Sequence, residues 1–255
     1  MDISGKPVVI TGGASGLGEA TARKLTGLGA TVAIFDMNEE RGTMVADELG
    51  GVFAKVDVSN SDSVAAGFAL VRERLGQERA CVNCAGIGVA QKSVTKEGAP
   101  HDPAFYAKVI GINLIGTFNC ATQSAAGMCA ADPVNEEGER GVIVNTASVA
   151  AFDGQIGQIA YASSKAGVAG LTLPMARDLS RSGVRVMTIA PGLFMTPMLA
   201  GLPEDVQQSL GLQVPFPPRL GDPAEYAALA AHIMENPMLN GEVIRLDGAI
   251  RMAPK

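Results

Sequence analysis

The chain has 255 residues, 47% of them hydrophobic and 18% charged, which is the balance of a folded globular protein and excludes a disordered one. A formal net charge of -6 without any basic run argues against a nucleic-acid partner, because phosphate binding rests on clustered Lys and Arg. The longest apolar stretches, such as 189–199, are broken by Pro and Gly, so none has the length of a bilayer span.

Met1-Asp2-Ile3-Ser4-Gly5 carries an acidic residue where a leader would be basic and runs directly into an apolar segment. The expected compartment is therefore the cytoplasm, with the mitochondrial matrix as the alternative. Val- and Ile-rich runs at 7–11, 31–35, 52–56, 80–83, 141–145, 184–189 and 242–246 predict strands. Most are apolar at consecutive positions, as in a parallel sheet covered on both faces. Helical spacing fills 18–28, 39–49, 61–75, 104–129, 158–180 and 223–234. This alternation predicts an α/β fold of right-handed βαβ units: one Rossmann-type domain over 1–255 with a doubly wound, mainly parallel seven-stranded sheet. Residues 1–147 would mainly bind a cofactor, and 148–255 would carry catalysis and substrate. Polar insertions at 91–103 and 132–140 predict surface loops.

The first strand leads into Thr11-Gly12-Gly13-Ala14-Ser15-Gly16-Leu17-Gly18 at a helix start. Glycines there allow a tight turn and close approach to a pyrophosphate, whose charge the helix N-terminus favours. The second strand ends at Asp36, whose carboxylate can accept hydrogen bonds from an adenosine ribose and repel a 2'-phosphate. Neither Met37 nor residues 13–15 supply a cation for such a phosphate, so NAD is predicted over NADP. The competing reading makes Asp36 the N-cap ahead of Glu39 and Glu40. Asp57 and Val58 follow the third strand within reach of an adenine edge, and Asn83-Cys84-Ala85-Gly86 leaves room at the end of the fourth. Cys81 and Cys84 have Cys-x-x-Cys spacing, but Cys81 lies inside a strand rather than at a helix N-terminus, which argues against a redox pair. With Cys120 and Cys129 they are too few for a disulfide framework, and no metal site is expected.

Ser148 is followed by Tyr161-Ala162-Ser163-Ser164-Lys165, in which Tyr161 and Lys165 stand i,i+4 on one helix and share a face. An ammonium beside a phenol lowers the phenol pKa, so Tyr161 can serve as proton donor and acceptor while Ser148 holds a substrate oxygen. A lone Tyr-x-x-x-Lys also arises by chance, with the lysine snorkelling. Here it comes after the Gly-rich turn, Asp36 and the Asn-Cys-Ala-Gly segment, in that order.

Thr11, Gly12, Gly16 and Gly18, Asn83-x-Ala85-Gly86, Asn113, Ser148, Tyr161-x-x-x-Lys165 and Pro191-Gly192 together resemble the short-chain dehydrogenase/reductase family across nearly the whole chain. One departure is Cys84, where a second Asn is commoner. The resemblance implies that Asn113 completes a Ser148/Tyr161/Lys165/Asn113 tetrad by holding a proton-relay water. It further implies that Lys165 and Tyr161 bind the nicotinamide ribose, that Thr196 beyond Pro191-Gly192 contacts the carboxamide, and that the assembly is a homotetramer.

Within the family, 145–152, 189–194, 214–216, 219–226 and 240–251 resemble the branch acting on 3-hydroxyacyl-CoA. The resemblance implies interconversion of a short-chain 3-hydroxyacyl-CoA and its 3-keto partner with NAD. Gln155 and Gln158, six and three residues before Tyr161, are candidate substrate contacts beside Ser148 and Tyr161, or ordinary polar residues of a Gly-rich loop. Lys92 and Lys96 are candidate CoA contacts, or solvated loop residues. The competing readings are a dehydrogenase of hydroxysteroids or other secondary alcohols, with its pocket along the apolar 193–202 segment, and a non-catalytic NAD-binding scaffold. The intact tetrad disfavours the scaffold.

Overall fold

In the computed structural model, which describes residues 1–201 and 203–254, the Val- and Ile-rich runs form β1 (Pro7–Thr11), β2 (Thr31–Asp36), β3 (Val52–Lys55), β4 (Ala80–Asn83), β5 (Gly141–Thr146), β6 (Val184–Pro191) and β7 (Val243–Leu246). They make one parallel sheet in the order β3-β2-β1-β4-β5-β6-β7. The strand order reverses between β1 and β4, and in open α/β sheets the crevice at such a reversal is where ligands bind, beyond the carboxyl ends of the strands.

Helices α1 (Gly16–Gly27), α2 (Glu39–Glu48), α3 (Ser61–Leu75), α4 (Pro103–Ile110), α5 (Gly116–Ala130), α6 (Ile159–Leu179), α7 (Pro197–Ala200), α8 (Glu204–Gly211) and α9 (Pro223–Glu235) complete the chain. Local chemistry starts several of them. Asn60 caps α3 by accepting from the Asp62 and Ser63 amides, and Asp222 with Glu225 forms a capping box on α9, with Pro223 at the first helical position.

Alternation along each strand sends side chains to two cores. Val8, Ile10, Val32, Ile34, Val82 and Val144 pack with Ala22 and Leu25 of α1 and Tyr226 of α9, while Val9, Phe35, Cys81 and Ile143 face Phe68 of α3 and Cys120 of α5. Phe35 and Phe68 meet edge to face at 5.2 Å.

The structure departs from expectation in three places. The helix expected over 104–129 is broken by a π-helical turn, Gly111–Ile115, between α4 and α5. The turn seats Asn113 inward, where its amide hydrogen-bonds the Ile87 backbone, and such π turns often mark functional sites. The 132–140 insertion is not wholly a surface loop: Glu139 is buried and pairs with Arg185 of β6 at 2.8 Å. The short helices α7 and α8 lie where no element was predicted, and position 202 of the apolar 193–202 segment falls outside the described residues. Residues 91–102 do form an exposed loop, folded on itself by a Val94–Pro100 bridge.

Candidate active site

The glycines of the first turn are required by its geometry. Gly12 has φ +65°, and a Cβ there would stand 2.8 Å from the Ala85 amide nitrogen, so the β1 and β4 ends lie too close for any side chain. At Gly18 a Cβ would run into the Gly12 carbonyl, which lets α1 start directly against the turn. Thr11 is buried, and its Oγ1 accepts from the Ala85 amide at 3.1 Å, tying the two strand ends together. Ser15 takes the N-cap position of α1 without a side-chain cap bond, leaving the first amides of the helix free to face an anion.

Asp36 ends β2 with one carboxylate oxygen accepting from the Ala14 amide at 3.1 Å and the other from Asn38 at 2.9 Å. It does not cap α2. Asn38 does, accepting from the Arg41 amide at 3.1 Å, which disposes of the N-cap reading. Arg41 also reaches this turn: its Nε donates to the Ala14 carbonyl at 3.2 Å, and its guanidinium bonds both Glu19 oxygens at 2.7 and 2.8 Å. Residues 13–15 and 37 contain no cation, but Arg41, from the first turn of α2, stands beside them.

Asp57 and Val58 follow β3. The Asp57 carboxylate accepts from the Ser59 amide and hydroxyl, and the buried Val58 packs where Gly116 leaves no space for a side chain. The Asn83 side chain does not turn toward the crevice. It is buried and donates to Asn145 Oδ1 at 2.9 Å across the β4–β5 pair, so only its backbone and the following Ala85 and Gly86 border the crevice. Gly86 is exposed, and a Cβ on it would lie 3.1 Å from Asn113 Oδ1 and 3.6 Å from Lys165 Nζ, which places this glycine directly over the catalytic candidates. On the far side, a Cβ on Gly16 would be 3.3 Å from Pro197 and 3.7 Å from Thr196, so the start of α7 lies over the Gly-rich turn. Pro191 ends β6, and the Gly192 amide donates to Leu246 at 2.9 Å.

The structure brings Ser148, Tyr161, Lys165 and Asn113 together. Ser148 follows β5, and its hydroxyl accepts from the Ala150 amide at 3.1 Å, which fixes the hydroxyl's direction. It lies beside the Tyr161 phenol and favours that phenol's ionised form. Lys165 is buried one turn further along α6, with Nζ 5.8 Å from the centre of the Tyr161 ring and 2.8 Å from the Thr146 carbonyl, to which it donates. Asn113 donates to Ser164 Oγ at 3.1 Å and to the Ile87 carbonyl at 3.0 Å, and Ser164 Oγ in turn donates to the Tyr161 carbonyl at 2.7 Å. The π turn and the catalytic helix are thereby clamped to each other.

Burial acts on both titrating groups. It pulls Lys165 down to about 8, because an ammonium is poorly solvated there. It holds the Tyr161 phenol above its ordinary value, with the Ser148 hydroxyl opposing. This differs from the lowered phenol expected from i,i+4 spacing alone: burial desolvates the phenol, and the lysine Nζ is turned to Thr146.

Gln155 and Gln158 are spent on each other and on the C-terminal segment. Gln158 Oε1 accepts from the Gln155 amide at 3.0 Å, Gln158 Nε2 donates to Gln155 Oε1 at 3.3 Å, and Gln155 Nε2 donates to Ala253 at 2.9 Å. Lys92 and Lys96 are exposed on the 91–102 loop. Sequence reasoning missed the layer behind the tetrad. Tyr226, wholly buried on α9, shares a 2.7 Å hydrogen bond with Thr146 Oγ1, and the Cys84 thiol lies 3.6 Å from both hydroxyls. Only a residue spacing of 80 along the chain joins Thr146 to Tyr226, so no local signal could have revealed it. Cys84 itself is not paired with Cys81, and all four cysteines are free.

A fold of this order with a Ser/Tyr/Lys/Asn cluster at the switch point defines a dinucleotide-type oxidoreductase site. The short chain dehydrogenase family matches residues 6–207, and the chain belongs to that family. It is similar to the human 3-hydroxyacyl-CoA dehydrogenase type-2, with 54% identity over 255 residues, covering 99% of this chain and 97% of that protein. It is also similar to the ipsdienol dehydrogenase of Ips pini, at 36% identity over 95% of this chain and 96% of that protein. The crystal structure of 3-hydroxyacyl-CoA dehydrogenase type-2 from Mycobacterium avium superposes with a TM-score of 0.93 at 47% identity, covering 98% of this chain and 97% of that one.

Proposed function

We propose that the chain is an NAD-dependent dehydrogenase that interconverts a short-chain 3-hydroxyacyl-CoA and its 3-ketoacyl-CoA, with Tyr161 as general acid/base. The observation that carries this reading is the buried Lys165, with Nζ 5.8 Å from the centre of the Tyr161 ring and, together with Asn113, under the bare backbone of Gly86. The relatives' names supply the substrate class.

The crevice fits a dinucleotide on its own geometry. Gly12 lets the β1 and β4 ends close to backbone contact, Gly16 lets the Pro197 and Thr196 side chains approach the turn, α1 presents its uncapped N-terminus, and Asp36 offers a carboxylate at the β2 end. Residues 11–18 would hold the pyrophosphate and Asp36 the adenosine ribose. Asp57, Val58 and the backbone of Asn83 would lie along the adenine side, Ala85 and Gly86 along the nicotinamide half. Lys165, Tyr161, Pro191, Gly192 and Thr196 would hold the nicotinamide ribose and carboxamide. When bound, the nicotinamide accepts the hydride with its electron pair.

The chain's own part is positioning and proton transfer. Ser148 donates to the substrate oxygen, and its bond from Ala150 keeps that donor aimed. Tyr161 takes the hydroxyl proton as the carbonyl forms, and returns it in the reverse direction. The phenol must ionise against its burial. Lys165, with a pKa near 8, is still mostly charged at neutral pH and opposes that cost. Asn113 fixes the α4–α6 junction and is read as the anchor of a proton-relay water. Ser148 and Tyr161 are the substrate contacts retained, since the Gln155 and Gln158 amides have partners within the chain.

A homotetramer is the proposed assembly. It is supported by the half-exposed apolar pair of Ile115, which ends the π turn, and Phe118, three residues on in α5, and by Leu173 of α6. Light scattering at the mass of four chains supports this, and a monomer refutes it.

The test of the substrate is a steady-state comparison of acetoacetyl-CoA with free acetoacetate, using NADH. The CoA ester should win in kcat/KM by well over about tenfold, since remote binding energy positions the reacting carbonyl. Equal values remove the acyl-CoA assignment. The similarity to ipsdienol dehydrogenase favours a second reading, oxidation of a plain secondary alcohol, and a preference for a terpenoid alcohol or a ketosteroid in the same assay selects it.

A further inference from the structure

The turn that carries Ala14 is held from two sides by opposite charges. Asp36 accepts from the Ala14 amide at 3.1 Å, and Arg41 donates to the Ala14 carbonyl at 3.2 Å. The carboxylate read as excluding a 2'-phosphate therefore has, on the same residue, a guanidinium suited to hold one, because Arg presents a planar fork of donors that binds phosphate bidentately. A free Arg41 would offset Asp36. It is not free, since one of its terminal nitrogens bonds both oxygens of Glu19 at 2.7 and 2.8 Å. Glu19 in turn is held in place by Arg23, whose Nε and terminal nitrogen reach Glu19 Oε1 at 3.0 and 2.8 Å. Arg23 is itself anchored to Glu48 at 2.6 Å. The chain Glu48–Arg23–Glu19–Arg41 thus runs along one side of α1 and ends at the nucleotide turn. The Arg41 side chain is 39% exposed, so once released it has open space in which to swing.

We propose that Glu19 is a specificity-determining residue, acting with Asp36: by binding Arg41 it withholds from the ribose end of the crevice the cation that a 2'-phosphorylated dinucleotide would need. The inference rests on the dinucleotide site proposed above. On this account Asp36 supplies repulsion and Glu19 removes attraction, a combination in which discrimination comes from an absent favourable contact as much as from an unfavourable one.

The chain has no Trp, so binding is read from the fluorescence of the reduced nicotinamide itself, titrating NADH and NADPH into the intact protein without substrate. The four proteins are the wild type, Asp36→Ala, Glu19→Ala/Asp36→Ala, and Glu19→Ala/Asp36→Ala/Arg41→Ala. Adding Glu19→Ala to Asp36→Ala is expected to tighten NADPH by at least about tenfold, the scale of one charge-assisted bidentate contact, with NADH moving less than about threefold. Adding Arg41→Ala should then return the NADPH Kd to the Asp36→Ala value. If Glu19→Ala proteins do not fold, Glu19→Gln removes the charge at constant size and should shift NADPH in the same direction. An unchanged NADPH Kd on removal of the Glu19 charge overturns the proposal, as does a tightening that survives Arg41→Ala. A wild type that binds NADPH as tightly as NADH overturns instead the assignment of Asp36 on which the proposal stands.

Discussion

Replacing Lys165 by Met should change how stability depends on pH. In the folded chain burial brings Lys165 down from 10.5 to about 8, whereas the unfolded chain restores the ordinary value. Between these values the unfolded state holds the proton that the folded state has released, so stability rises with pH across that window; below it the buried ammonium exerts its full penalty. A shift of roughly 2.5 units, at about 1.36 kcal/mol each, makes that penalty about 3 kcal/mol, of which roughly 1 kcal/mol is recovered between pH 7 and 9 and most of the rest by pH 10.5. The substitution also leaves the Thr146 carbonyl without the 2.8 Å donor it now has, a cost of about 1–3 kcal/mol that does not depend on pH. Absolute stability at one pH is therefore a poor readout, and the difference between the two proteins is the useful one. Unfolding free energies of wild type and Lys165→Met, measured by urea titration from pH 7 to 10, should diverge in favour of wild type by about 2 kcal/mol as pH rises. Groups remote from Lys165 cancel in that difference; the Cys84 thiol, which Lys165 draws down, moves further up without it. A flat difference across the range would show that Lys165 keeps an ordinary pKa, and would remove the argument that burial tunes it.

Two further substitutions probe the scaffold. Gly18→Ala places a methyl group against the Gly12 carbonyl, a backbone atom that cannot step aside, so a loss of about 1–3 kcal/mol and weaker dinucleotide binding are expected by thermal unfolding and NADH titration. Unchanged melting and binding would mean that α1 does not sit on the turn as described. Tyr226→Phe removes the hydroxyl shared at 2.7 Å with Thr146 and should lower stability by about 1 kcal/mol or more, while kcat falls more than KM rises because Thr146 also holds Lys165. Wild-type kcat with only a lower Tm would reduce Tyr226 to a packing residue.

The strands were legible because a doubly covered parallel sheet demands consecutive apolar residues, and runs such as 142–144 or 32–35 meet that demand without ambiguity. The Gly-rich turn, Asp36 and the Ser148/Tyr161/Lys165 set were legible for a related reason: each sits at a strand end or on one helix turn, where spacing alone places it. The π turn at Gly111–Ile115 was not, since hydrophobic spacing continues through it and the contact its Asn113 makes, with Ile87, spans 26 residues. Long-range partners were invisible for the same reason. Asn83 belongs to a segment expected to border the cofactor, yet its side chain answers to Asn145, its partner in the neighbouring strand. Nothing in the local spacing marks Arg41, which reaches Ala14 and Glu19 only because α2 packs beside the turn. The lowered phenol failed for a physical rather than a topological reason: spacing announces the nearby charge, while burial of both groups appears only once the sheet and helices close around them.

The central claim is that the Tyr161 hydroxyl moves the proton while the rest of the site binds and aims. Tyr161→Phe keeps the ring, its packing on α6 and the surrounding crevice, and deletes only the phenol hydroxyl. Single-turnover oxidation of NADH by acetoacetyl-CoA, with NADH binding titrated in parallel, is the direct test. The account predicts a rate lower by about 10² to 10⁴-fold, the usual share of general acid catalysis, with the NADH Kd within about threefold of wild type. A Tyr161→Phe enzyme that keeps more than about a hundredth of the wild-type rate at saturating NADH would contradict it.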